Sequence, residues 1–200
     1  MNILSTNKKT KFSVNLPAGP ETCNPSCPFY HGHCYAMGGR FVFGNVRRAN
    51  DWRMAYYKDA PDMYFLRLKH EIQEKDVRHM RVFGSGDFPD RNYALRLNQL
   101  MMELPDVKFW VASYKAGVEP ETYSDIVEEM NGMPNVIVRV SCQPKTRRRH
   151  YDYTSCVSED PAQVTCPETR CTECGHLCWS KKVKTVTYKF KRKSKKEIKL

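Results

Sequence analysis

Two hundred residues with 40% hydrophobic content are enough for one cored domain and a modest second module. No run of eighteen apolar residues occurs, which excludes a helical membrane span, and residues 1–11 lack the apolar centre of an export signal. The formal charge of +11 is uneven: residues 181–200 carry ten Lys or Arg against one Glu, a net of +9, which leaves +2 for the rest. The expected compartment is the reducing cytoplasm. There, nine cysteines point to metal binding or catalysis rather than to a disulfide framework.

In chain order, Phe12-Ser13-Val14-Asn15-Leu16 alternates as a short strand does, and Pro17-Ala18-Gly19-Pro20 breaks it. A loop with Cys23, Cys27 and Cys34 follows, and Gly38, Gly39 and Gly44 punctuate its exit. Asn45 to Ala60 has helical spacing in Val46, Ala49, Trp52, Ala55 and Tyr56, and Pro61 opens a second helix. Val77 to Phe83 is strand-like and stops at Gly84-Ser85-Gly86-Asp87-Phe88-Pro89. An amphipathic helix is expected over Asp90 to Leu104, a buried strand over Val107 to Ala112, and a helix over Glu119 to Met130. Asn135 to Val140 is a third strand of this series, and Val183 to Lys191 alternates well enough for one more.

Strand then helix, repeated, is the pattern of parallel βα units. A complete (β/α)₈ barrel needs roughly 250 residues. The expected fold is therefore α/β, an open or partial parallel (β/α) barrel. Its parts are a barrel with an N-terminal cysteine loop over 1–142, a Cys-rich metal-binding module over 143–180, and a basic tail over 181–200. In such folds the ligand sits outside the carboxyl ends of the strands. Here those ends read Ser85-Gly86-Asp87, Ser113-Tyr114-Lys115 and Ser141-Cys142. Polar loops are common in any case, so this pattern alone does not make a site.

The cysteines fall into two groups. Cys23, Cys27 and Cys34 have the spacing C-x3-C-x6-C in Pro- and Gly-broken chain. Three thiolates leave a fourth position open, which suits an iron–sulfur cubane, or zinc with His31 or His33 as a further ligand. Cys166, Cys171, Cys174 and Cys178 have the spacing C-x4-C-x2-C-x3-C. Zinc sites usually set two close pairs a dozen or so residues apart, whereas C-x4-C-x2-C is a spacing used for iron–sulfur ligation. A [4Fe–4S] cluster is the expected cofactor and zinc the alternative. Cys142 and Cys156 remain open as ligands, site thiols or core residues.

The basic tail suggests a nucleic-acid partner. Lys181, Lys182, Lys184, Lys189, Lys191, Arg192 and Lys193 can meet phosphates, joined by Arg147-Arg148-Arg149, while Tyr188 and Phe190 can stack on bases. Binding of that kind is salt-dependent and vanishes on deletion of 181–200. A solvated solubility tail is the competing account.

Several short motifs occur in an order that resembles a family of phage proteins catalogued as gene product eighty-eight. They are Ser13-Val14-Asn15-Leu16-Pro17-Ala18-Gly19, Thr22 to Pro25, Ser85-Gly86-Asp87-Phe88, Ala112-Ser113-Tyr114-Lys115 and the terminal C-x-x-C-x-x-x-C-W. The resemblance implies a phage protein in a host cytoplasm and no particular activity. A more distant likeness is to radical S-adenosylmethionine enzymes, through Cys23-x3-Cys27, Cys34-Tyr35-Ala36 and Gly84 to Pro89; the last cysteine gap is six residues here and two there. That likeness implies an open iron binding S-adenosylmethionine. It also implies cosubstrate contacts from Ser85, Gly86 and Asp87, and catalytic or substrate roles for Asp87, Ser113, Tyr114 and Lys115.

Overall fold

The structure is a computed structural model that describes residues 1–27, 29–30, 34–142, 152–157, 164–167 and 170–188. Seven strands form one open sheet in chain order. They are β1 (Ser5–Asn7), β2 (Lys11–Val14), β3 (His79–Val82), β4 (Lys108–Ser113), β5 (Val136–Cys142), β6 (Thr154–Val157) and β7 (Thr185–Tyr188). All neighbours from β2 to β7 pair in parallel. β1 departs from the expected all-parallel set: it pairs antiparallel with β2. Its polar Ser-Thr-Asn carries no apolar alternation. The turn makes it instead, because Asn7 Oδ1 accepts from the backbone N–H groups of Lys9 and Thr10 at 3.0 and 2.8 Å, and Lys11 takes φ 64°.

The helices fall close to the residues whose periodicity marks them: α1 (Gly44–Asp59), α2 (Pro61–Glu74), α3 (Arg91–Met102) and α5 (Pro120–Gly132). Pro61 and Pro120 stand at first helical positions, where a missing N–H costs nothing. Asp90 caps α3 by accepting from Tyr93 N at 2.7 Å. The short α4 (Lys115–Val118) has no periodicity to announce it.

Alternation along the central strands serves two cores. Met80, Val82, Phe109, Val111, Val136, Val138 and Val140 pack with the helices. Trp110 and Ile137 point to the opposite face and pack with Tyr153, Cys166, Cys171, Cys178, Trp179 and Val186. Buried on both faces, β4 and β5 read as the near-continuous apolar runs that parallel sheets require. Strands from the 143–180 and 181–200 segments therefore continue the sheet begun by the first 142 residues.

Candidate functional site

The first cysteine group leaves the sheet just beyond β2, beside the end of β3. Leu16 N donates to Ser85 O at 3.1 Å, and Ser85 Oγ donates to Leu16 O at 2.8 Å. Gly86 is left-handed at φ +74°, and a Cβ there would meet Leu16 Cβ at 2.9 Å and Pro17 O at 3.0 Å. Only glycine fits this crossing. Ser85 and Gly86 thus clasp the start of the cysteine loop to the end of β3.

Asp87 forms a second clasp. Its Oδ1 accepts from Ser113 Oγ at 2.6 Å and Phe88 N at 2.8 Å; its Oδ2 accepts from Tyr114 N at 2.7 Å and Lys115 N at 2.9 Å. A carboxylate offers about four acceptor positions, so all are occupied. Burial raises the Asp87 pKa above the ordinary carboxylate value, and these four donors pull it back in part. Lys115 Nζ donates to Phe88 O at 2.9 Å. Asp87, Ser113, Tyr114 and Lys115 are therefore brought together, but as a buckle between the ends of β3 and β4, while Ser85 belongs to the clasp on Leu16.

The loop is moored above this buckle. Tyr114 Oη donates to Ser26 O at 3.0 Å, and Asn24 Nδ2 donates to Glu119 Oε1 at 2.7 Å. Tyr35 Oη donates to Gly84 O at 2.5 Å and accepts from Arg81 at 2.9 Å. Cys23, Cys27 and Cys34 are all half-buried. Burial first, and then the nearby charges of Cys34 and Asp87, push the Cys23 and Cys27 thiols above their ordinary pKa. His31 and His33 lie outside the described residues.

The second group lies on the other face of the sheet. Cys166, Cys171, Cys174 and Cys178 line one cavity of about 30 Å³, together with Lys9, Arg81, Trp110, Trp179 and Tyr188. Backbone bonds hold three of the cysteines in place. Cys166 N donates to Thr187 O at 2.8 Å, Cys171 N to Lys9 O at 3.0 Å, and Cys178 O accepts from Arg139 Nε at 2.9 Å. Burial and the neighbouring thiols push Cys171 up to about 11. Cys174 Sγ donates to Cys171 O at 3.3 Å, and Cys178 Sγ lies 3.1 Å from Tyr188 Oη. Among the described residues, which include both cysteine groups, no group of three or more His, Cys, Asp or Glu is arranged to hold a metal ion.

His79 and His176 stack at 3.9 Å beside Trp179. Burial, then His176 and Lys108, lower the His79 pKa from 6.5 to about 4. The unfolded chain binds this proton near 6.5 and the folded chain only near 4. The contribution to stability is thus complete above pH 6.5 and lost as pH falls toward 4. The urea midpoint is expected to drop across that window, and His79→Asn to flatten the drop.

A family model described as Gene product 88 matches residues 2–159. The chain belongs to the gene product 88 family. No curated protein and no solved structure matches it. The matched span of the gene product 88 chain contains Cys23, Cys27 and Cys34 and both buckles, and it ends before Cys166. Cys142 and Cys156 stand opposite each other in the β5–β6 register. No helix among the described residues is long and apolar enough to cross a membrane.

Of the tail lysines, Lys181 Nζ donates to Asn131 O and Met133 O at 2.5 Å each, and Lys184 Nζ sits 4.6 Å over the Tyr153 ring. Lys182 is exposed. Lys189, Lys191, Arg192, Lys193 and Arg147 to Arg149 lie outside the described residues. Sequence reasoning missed Arg81, Trp110 and Arg139. An arginine inside an apolar strand, as in Val136 to Val140, is the signal that could have singled out Arg139.

Proposed function

We propose that the gene product 88 chain is a metal-cluster protein whose Cys23, Cys27 and Cys34 hold a [4Fe–4S] cubane with one iron left for an exogenous ligand. The observation that supports this is a loop with three half-buried cysteines, moored through Tyr114, Glu119 and Tyr35 beside the carboxyl ends of β3 and β4, where parallel βα folds bind their ligands. Soft thiolates suit iron–sulfur clusters, and each one gives up its proton on binding. The loop's own contribution is orientation: Tyr114 on Ser26, Glu119 on Asn24 and Tyr35 on Gly84 fix three points of it.

S-Adenosylmethionine is the exogenous ligand proposed for the open position, and the chain would then belong with radical-type enzymes of undetermined substrate. Contact with Asp87 would require one of its four donors to let go. Tyr114 combines a backbone bond to Asp87 with a side chain on the loop, so it is the residue best placed to pass such a change on.

Anaerobic purification is expected to give a brown protein with about four irons and four sulfides at this site. Electron paramagnetic resonance of the reduced protein should change on adding S-adenosylmethionine. A colourless protein with one zinc at the loop would overturn the cluster assignment. An unchanged spectrum would remove the cosubstrate.

A further inference from the structure

We infer that Cys166, Cys171, Cys174 and Cys178 form a second, closed four-thiolate metal site into which Arg81 and Trp110 donate N–H bonds. It stands apart from the loop cluster and does not depend on it.

The first argument is the donor set. Four cysteines line one cavity on the sheet face away from the helices. Free cysteines do pack as small hydrophobes. Four line one space, and three of their backbones are tied to β7, the β1–β2 turn and Arg139, so binding a metal asks only that the sulfurs draw together.

The second argument is independent and concerns hydrogen bonds. Arg81 Nε and Trp110 Nε1 are buried and have no partner among the described residues. Both residues line the same cavity, and the Arg81 guanidinium lies 4.5 Å over the Trp110 ring. A buried N–H without an acceptor costs about 1–3 kcal/mol and is rare in native proteins. A neutral thiol is a weak acceptor. A thiolate bound to a metal retains negative charge and accepts well, and such outer donors to ligand sulfur are a standard part of thiolate sites.

The third argument is charge. Four thiolates around one divalent ion sum to −2, and four around a [4Fe–4S]²⁺ core sum to the same. Lys9 and Arg81 line the cavity as cations, and among the described residues no carboxylate lines it. Binding one divalent ion by four thiols releases four protons, so charge and atoms balance without an oxidant or reductant. Cys174 Sγ would leave Cys171 O, and Tyr188 Oη would turn its proton toward Cys178.

The test uses the full chain, anaerobically, with Zn²⁺ alone and separately with sulfide and equal parts of ferrous and ferric iron, the oxidation level of a [4Fe–4S]²⁺ core. Cysteines are then alkylated and quantified one by one by mass spectrometry. Cys166, Cys171, Cys174 and Cys178 are expected to become protected together, at one equivalent of Zn²⁺ or of reconstituted cluster. Protection at Cys23, Cys27 and Cys34 is read separately, so failure of the loop reading and failure of this one are distinguishable. If the four stay reactive under both loadings, the site does not exist. Trp110→Phe and Arg81→Met are expected to keep the stoichiometry and to speed metal loss to a chelator about 10- to 100-fold. Unchanged release from both variants would remove the donor role. Should Arg81→Met fail to fold, Trp110→Phe decides that point by itself.

Discussion

Replacing Arg139 with methionine is expected to destabilise the protein by about 4 kcal/mol and to detach the chain around 177–188. Arg139 is wholly buried, and among the described residues no carboxylate pairs with it. Its N–H groups go to backbone carbonyls instead. Nε donates to Cys178 O at 2.9 Å, one terminal nitrogen to Lys184 O at 3.1 Å, and the other to Ser180 O at 2.9 Å and Val183 O at 2.8 Å. The guanidinium therefore gathers the stretch between one helical turn at Leu177–Trp179 and the start of β7 at Thr185.

Methionine keeps much of the apolar volume and removes every donor. The stranded carbonyls would each cost about 1–3 kcal/mol, reduced by whatever water the loosened segment admits. Burial lowers the Arg139 pKa, yet an arginine stays charged near neutrality. Urea denaturation gives the magnitude, and hydrogen exchange at Thr185 to Tyr188 gives the place. A loss under about 1 kcal/mol would show that the carbonyls find water and that Arg139 is not the fastener. Because Cys178 is one of the gathered residues, the same change is expected to weaken metal protection at Cys166 to Cys178.

Asp87→Asn is the second large effect, at about 3 kcal/mol. The amide oxygen can keep two of the four bonds. The amide nitrogen is a donor, and it would face two donors that now point at a carboxylate oxygen. Hydrogen exchange at the Tyr114 and Lys115 amides should accelerate with the loss of stability. A nearly neutral substitution would instead mean that the carboxylate is held for chemistry and not for the buckle. Tyr114 also moors the loop through Ser26, so the variant is expected to bind metal at Cys23, Cys27 and Cys34 more weakly while leaving Cys166 to Cys178 unaffected.

The sequence by itself determined the elements whose information is local. Val107 to Ala112 and Asn135 to Val140 read as strands because apolar residues buried on both faces leave a near-continuous run, and Val77 to Phe83 because Met80 and Val82 alternate with His79 and Arg81. The helices read as helices because one apolar stripe repeats within a turn, and Pro61 and Pro120 mark two starts. Both cysteine groups were visible for the same reason, since close spacing of one residue type is a short-range pattern. Membership of the gene product 88 family was legible in the order of its short motifs.

Only the tertiary structure decided the rest. β1 has no pattern and exists because a turn at Asn7 lays it against β2. α4 exists because Asp87, 28 residues before Lys115, accepts the N–H groups at its start. The order of the strands put the two cysteine groups on different parts of the sheet, one past its carboxyl end and one on its second face. Arg81, Trp110 and Arg139 acquired their roles from groups far along the chain: Arg139 from carbonyls up to 45 residues away, Trp110 from Cys166 to Cys178. Lys181 reads as tail charge in sequence and proves to be a clamp on the end of α5. The physical reason is common to all of these. Periodicity reports which residues avoid water, whereas the partner of a buried N–H or carboxylate is chosen by which distant segment the fold brings beside it.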